Sequence, residues 1–236
     1  MLLSQCTEAA LDQKADSLNM GIVVVREDAM RKRKILQEGG KGAFIVLEGG
    51  DGTGKTIQAR LLCLALQRRG FDTHSTAEPT KGCVGRLIRR NLFERHKFSP
   101  ESEALLFAAD RSVHLTSEIR PALSSGKNVV CDRYMYASFA YQGSQGIDLQ
   151  WLRAINHFAE KPDIAIFLDV PPEVGLRRIR RRKSVMETLD LQKRVREEYW
   201  RLVERGELVA IDSNRPVREV ADDVIAVVTH RLFTPE

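Results

Sequence analysis

The sequence predicts an α/β fold: a three-layer sandwich in which a five-stranded parallel sheet carries helices on both faces. Three observations predict it. Short apolar runs recur at 43–47, 129–131, 163–169 and 208–212, and 71–77 fits a further short strand. Segments with apolar residues at helical spacing alternate with them, which implies right-handed crossovers and a sheet buried on both sides. A glycine-rich loop, Gly49-Gly50-Asp51-Gly52-Thr53-Gly54-Lys55-Thr56, separates the first run from the first helical segment. Such sheets bind ligands beyond the carboxyl ends of their strands.

The run 43–47 is continuously apolar, as a strand covered on both faces requires. The loop after it fits G-x-x-x-x-G-K-[ST] at every fixed position. Phosphate is anionic and strongly hydrated, so its site must replace water with many aligned donors. Glycine backbone N–H groups can point inward without Cβ clashes, and the following helix adds its positive end. Lys55, on a solvent-facing loop, is expected to meet the β- and γ-phosphates, and the Thr56 hydroxyl to ligate Mg²⁺. Ala59, Leu62, Cys63 and Leu66 then recur at helical spacing until Gly70 stops the helix.

The second strand runs into Glu78-Pro79, where Pro79 cannot donate to a ladder. Val84, Leu87, Ile88 and Leu92 mark a helix, with Arg86, Arg89 and Arg90 on a solvated or ligand-facing side. Ser99-Pro100 opens the next helix as cap and first residue. On it Phe107 and Arg111 are four apart and share a face. A ring that stacks beside a guanidinium that donates suits a nucleobase; the plainer alternative is a core Phe and a surface Arg.

The third strand ends in Asp132-Arg133-Tyr134. An Asp there can hold Mg²⁺ through water and an Arg can bridge two phosphates, or the two can form a local ion pair. Ser138, Tyr141 and Gln142 follow and could reach the same crevice. A helix over 151–158 leads to the fourth strand. Pro171-Pro172-Glu173 opens a further helix that ends in the cationic stretch 177–183, where only Ile179 interrupts the charge. Such density repels itself unless an anion neutralises it. Leu191, Val195, Tyr199 and Leu202 mark an amphipathic helix, then come the fifth strand and a last helix over 216–232.

The net charge of +5 suits anionic ligands without requiring nucleic acid. Cys6, Cys63, Cys83 and Cys131 form no C-x-x-C pair and read as reduced thiols in a cytoplasm. No stretch is long and apolar enough to span a membrane. Residues 1–41 differ from the rest, with the basic run Arg31-Lys32-Arg33-Lys34 and a glycine-rich junction. They read as a poorly ordered extension, or a segment upstream of initiation at Met30, more readily than as a nucleic-acid or targeting arm.

From about Ala43 onward the chain resembles thymidylate kinase, a family of P-loop nucleoside-monophosphate kinases. The likeness rests on the P-loop with its internal Asp51, Glu78-Pro79, Leu106-Phe107 through Arg111, Asp132-Arg133-Tyr134 and Ala140-Tyr141-Gln142-Gly143. The wording around Phe107 is most similar to archaeal and bacterial members. The resemblance implies the P-loop NTPase sandwich over 42–236 and the reaction ATP plus dTMP to ADP plus dTDP with Mg²⁺. It implies that Gly49 to Thr56 and Arg215 bind ATP, with Thr56 and Asp132 at the metal. Lys55, Asp51 and Arg133 are then catalytic, Asp51 also meeting the deoxyribose 3′-OH and Arg133 the acceptor phosphate. Glu78, Pro79, Ser138 and Gln142 fall in the dTMP site, Phe107 stacks on thymine, Arg111 donates to its carbonyl edge, and Tyr141 fills the space of a 2′-OH.

The cationic stretch matches the family's LID, about 177–188, with Arg181 and Arg182 as its catalytic cations. Gly52 belongs to the class in which the LID supplies the arginine. The chain departs from the pattern at Ser184-Val185, where relatives have Asp-Arg, and at Ala137, where many have Ser. This leaves open which of Arg178, Arg181, Arg182 or Lys183 reaches the phosphates, and whether Glu187 belongs to the site. The family implies a homodimer, through helices near Glu101 and Trp151. Two competing readings are a kinase for dUMP or UMP, and a P-loop ATPase whose arginines grip nucleic acid. The latter is disfavoured because the cationic stretch has no interleaved aromatics.

Overall fold

The computed structural model describes residues 40–93, 98–180 and 184–233. The extension expected over 1–41, except Gly40 and Lys41, lies outside the described residues, as do Arg181, Arg182 and Lys183. One parallel sheet organises the rest. Its strands are β1 (Phe44–Glu48), β2 (Thr73–Ala77), β3 (Asn128–Asp132), β4 (Ile164–Asp169) and β5 (Val209–Asp212), in the order β2-β3-β1-β4-β5. β1 is central and every residue of it is buried. Its side chains alternate between two cores: Phe44 and Val46 face one, Ile45 and Leu47 the other.

The Ile45 side is closed by α1 (Lys55–Arg68) and α9 (Val217–Phe233), through Leu62, Leu66, Val220 and Val224. The Phe44 side is closed by α3 (Pro100–His114), α4 (Arg120–Ser124), α5 (Met135–Tyr141) and α8 (Leu189–Glu204). Ser99 caps α3 as expected, its Oγ accepting from the Ser102 N–H at 3.3 Å. α3 runs into α4 through a π-turn, Leu115–Ile119. Pro121 explains the widening: it has no N–H for the Ser117 carbonyl and its ring would crowd it. The remaining helices are α2 (Cys83–Phe93), α6 (Leu149–Ile155) and α7 (Pro172–Arg178). α7 stops at Arg178, and Ile179 is extended, so the cationic run does not prolong the helix. α5 was not foreseen as a helix: it has neither a capping side chain nor a proline at its start.

Register brings the strand ends level. Leu47 of β1 and Ala77 of β2 both pair with Asp132 of β3. Glu48, Glu78 and Arg133 therefore emerge together at one edge of the sheet. Cys63 and Cys131 are buried and Cys83 is exposed, all as free thiols. Among the described residues no helix is long and apolar enough to cross a membrane.

Candidate active site

Glycines shape the loop between β1 and α1. Gly49, Gly52 and Gly54 have φ of 144°, 77° and 94°, where residues with a side chain are strained. Space matters too. A Cβ on Gly52 would come within 2.0 Å of the Gly175 carbonyl oxygen, and one on Gly175 within 2.5 Å of the Asp51 oxygen. α7 thus lies backbone against backbone on the loop. Ser213 Oγ donates to the Thr53 carbonyl at 2.9 Å, fastening the loop to the turn after β5.

Lys55 turns back beneath this loop. Its Nζ donates to the Gly50 carbonyl at 2.6 Å and to Thr53 Oγ1 at 3.3 Å. It is 6% exposed, which corrects the expectation of a solvent-facing lysine: the loop wraps its own cation. Burial, then the charge of Arg133, pulls the amine down to about 8, against the attraction of Asp132, Asp51 and Glu48. At neutral pH it still carries its proton. Beside it Thr56 Oγ1 donates to Asp132 Oδ2 at 2.5 Å. A hydroxyl and a carboxylate at a phosphate loop are hard-oxygen donors suited to Mg²⁺.

Arg133 stands where two cavities meet. Its Nη1 donates to the Gly49 carbonyl at 3.0 Å, and its Nη2 to Asp51 Oδ1 at 2.6 Å and Tyr141 OH at 3.2 Å. Tyr141 OH in turn donates to Asp51 Oδ2 at 2.8 Å. Arg133 has φ of 70°, a strain of about 1–3 kcal/mol that the hydrogen bonds around it sustain. One cavity, about 680 Å³, is lined by the loop, Asp132, Arg178, Arg180, Arg215, Pro216 and Val217. The other, about 420 Å³, is lined by Pro79, Phe107, Ser138, Tyr141, Gln142 and Glu187 among others. Asp51 and Arg133 line both.

The family model for thymidylate kinase matches residues 47–224. The chain belongs to the thymidylate kinase family. The probable thymidylate kinase of Pyrococcus horikoshii is 45% identical over 202 residues, covering 82% of this chain and 98% of that protein. That of Staphylothermus marinus is 42% identical over 194 residues, covering 81% and 96%. The thymidylate kinase of Synechococcus sp. strain JA-2-3B'a(2-13) is 40% identical over 196 residues, covering 80% and 95%. The chain is accordingly a kinase, with the α/β fold of this family.

For a thymidylate kinase family member, the placement of the expected residues is informative. Phe107, Ser138, Tyr141 and Gln142 share one cavity. Arg111 does not line it. Its guanidinium is buried, with Nε on Glu78 Oε2 at 2.9 Å, Nη1 on Asn156 Oδ1 at 2.5 Å, and Nη2 on the Tyr134 carbonyl at 3.1 Å and Ser138 Oγ at 3.3 Å. Phe107 and Arg111 share a helix face, but the cation goes deeper. Glu78 borders the larger cavity while its carboxylate serves Arg111 and His114 Nδ1, the latter at 3.1 Å. Pro79 follows a cis peptide bond and borders the smaller one. Glu187 accepts from the Ser184 N–H at 3.0 Å and does belong to the wall. Arg178 points at the turn after β5, 3.4 Å from the Ser213 carbonyl. Arg215 pairs with Asp223.

Two residues at the site, Gln192 and Glu48, were not singled out from sequence, and Arg89 was named only among three arginines of a solvated or ligand-facing side. Arg89, one of three arginines on α2, lines the smaller cavity and donates to the Pro79 and Thr80 carbonyls. Gln192 answers Asp51 with both ends of its amide: Oε1 accepts from the Asp51 N–H at 3.0 Å and Nε2 donates to Oδ2 at 2.9 Å. Glu48 is fully buried and accepts from the Tyr134 N–H at 2.9 Å, the Ala137 N–H at 3.2 Å and Tyr199 OH at 2.9 Å. It fixes the turn that carries Arg133. A charged residue closing an apolar strand was the one available signal for it.

Burial raises the Glu48 carboxyl from 4.5 to about 7, opposed by Arg133, Tyr199, the Tyr134 N–H and Lys55. The folded state then keeps a proton that the unfolded state has lost, between pH 4.5 and 7. Stability from this group is present below that window and is lost as pH rises through it, by up to about 3 kcal/mol. Urea titrations from pH 5 to 7.5 are expected to show this decline in the wild type and a shallower one in Glu48→Gln. Equal slopes would mean that Glu48 stays ionised throughout.

Proposed function

We propose that this chain transfers the γ-phosphoryl group of ATP to dTMP, giving ADP and dTDP, and so supplies a DNA precursor. The observation that supports it is the junction of the two cavities at Asp51 and Arg133. A triphosphate on the loop and a monophosphate in the smaller cavity would meet there end to end. Adenine would lie by Arg215, Pro216 and Val217. The acceptor phosphate, held by Arg133, would present an oxygen to the γ-phosphorus; the new P–O bond forms as the bond to ADP breaks. Lys55 and the LID arginines would neutralise the charge that develops, which is most of what this chemistry needs. Thr56 and Asp132 would hold Mg²⁺, which supplies further charge neutralisation to the phosphates.

In the smaller cavity Phe107 would stack on the base, and Ser138, positioned by Arg111, would face it. Tyr141 OH, held by Asp51, would fill the space of a 2′-OH and so favour a deoxyribose. A coupled ADP-release assay with ATP, Mg²⁺ and a panel of monophosphates tests the reading. Turnover should fall in the order dTMP, dUMP, UMP. Equal turnover of UMP and dTMP would overturn the role given to Tyr141, and no turnover of dTMP would overturn the function.

We also propose a homodimer formed through α3. Leu105 and Val113 are 50% and 53% exposed, and Ala109, also exposed, lies between them at four-residue spacing. This apolar stripe faces away from the core. Light scattering should give about twice the 26.7 kDa chain mass, and Leu105→Glu combined with Val113→Glu should halve it. A monomeric wild type would refute the dimer.

A further inference from the structure

Gln142 ends α5 at the wall of the smaller cavity. It is 1% exposed, yet neither of its amide atoms has a hydrogen-bond partner among the described residues. Its polar neighbour is Glu103, on the first turn of α3 and 7% exposed, whose carboxyl is close enough to feel the Gln142 amide. Glu103 Oε1 accepts from Asn91 Nδ2 at 2.8 Å, while its Oε2 is buried without a partner. Burial raises the Glu103 carboxyl, and the Asn91 and Gln142 side chains pull it back. Asn91, Glu103 and Gln142 thus form a row of buried polar groups that ends at the cavity.

The two ends of a glutamine amide have nearly the same shape, so its neighbours decide which way it points. A carboxylate only accepts. Next to Glu103, the favourable orientation turns Gln142 Nε2 toward Oε2 and leaves Gln142 Oε1 for the cavity. The opposite orientation sets a carbonyl oxygen against a carboxylate oxygen and leaves both buried acceptors unpaired.

We propose that Glu103 is a positioning residue that sets base specificity: it locks the Gln142 amide so that the cavity takes a 4-oxopyrimidine and refuses a 4-aminopyrimidine. This rests on reading the cavity as the monophosphate site. A 4-oxopyrimidine carries N3–H, which Gln142 Oε1 accepts. A 4-aminopyrimidine carries a bare N3 lone pair, and only the flipped amide would suit it. A site built to hydrogen-bond one group rejects the analogue that lacks it strongly, because its buried polar atoms are left unpaired.

The test measures kcat/KM for dTMP and dCMP in the wild type, Glu103→Gln, Glu103→Asp and Gln142→Leu, with the KM for ATP as a control. Glu103→Gln offers a donor as well as an acceptor, so the amide can flip. The dTMP-to-dCMP ratio should narrow about 10²-fold, with the ATP KM unchanged. Glu103→Asp, still an acceptor only, should keep most of the discrimination. A folded Glu103→Gln with the wild-type ratio would overturn the proposal. If that variant does not fold, the wild type decides by equilibrium binding of dUMP against its 3-deaza analogue, which has C–H in place of N3–H. Weakening of about tenfold or more supports an acceptor at Gln142, and equal affinity overturns it. Gln142→Leu separates the two layers of the argument. If it lowers dTMP kcat/KM while Glu103→Gln leaves the ratio alone, only the role of Glu103 fails; if it changes nothing for dTMP, the reading of the cavity fails as well.

Discussion

Lys55→Ala is expected to lower kcat about 10³-fold or more while leaving the fold intact. The magnitude follows from where the charge sits. A cation held in a dry site interacts far more strongly with phosphate oxygens than one in bulk water, and it needs no reorganisation when charge develops. The loop carbonyl of Gly50 holds Nζ at 2.6 Å, so the ammonium is aimed before substrate arrives. Stability should change little, because the variant removes a desolvated charge along with its hydrogen bonds. Circular dichroism and a thermal melt check the fold, and single-turnover kinetics check the chemistry. A kcat within tenfold of wild type would remove Lys55 from the mechanism. The depressed lysine adds a pH signature. Near pH 8.5 the free enzyme has lost much of this proton, since the amine titrates at about 8. A bound triphosphate favours the charged form, so nucleotide binding there should take up protons, measurable by calorimetry in two buffers of different ionisation enthalpy.

Arg133→Ala is the second large effect. The guanidinium meets a backbone carbonyl, a carboxylate and a phenol hydroxyl at once. Removing it strips the junction of its cation and leaves Asp51 with a weaker set of partners. We expect kcat/KM for dTMP to fall about 10²–10³-fold, with a much smaller change in the KM for ATP. Arg133→Lys should recover little, since an ammonium lacks the planar fork that spans several acceptors. Comparable effects on both substrates would overturn the assignment of Arg133 to the acceptor phosphate.

Much of this was readable from the chain. Apolar runs mark β1, β3 and β4 because these strands are covered on both faces, whereas the edge strands β2 and β5 are partly exposed. The loop is readable because phosphate binding constrains backbone, and backbone constraint shows as glycine. What stayed hidden was pairing at a distance. Gln192 meets Asp51 across 141 positions, and no local pattern announces that. Arg111 shows the limit of periodicity: four-residue spacing places it on the face of Phe107, but the depth it reaches depends on Glu78 and Asn156 from other elements. Glu48 looks like an ordinary strand end until the α5 turn closes over it. No local pattern marked which cations of the stretch face the nucleotide, and Arg178 and Arg180 border the larger cavity.

The contact of Gly52 with Gly175 has a bearing on how this enzyme could vary. Two main chains meet there with no room for a methyl group, so neither position can drift by itself. A lineage that tried to seat a positively charged side chain at position 52 would first have to push back α7, which ends in the cationic stretch. Ancestry and geometry are thus tied: what position 52 can carry is settled by how closely two stretches of polypeptide lie.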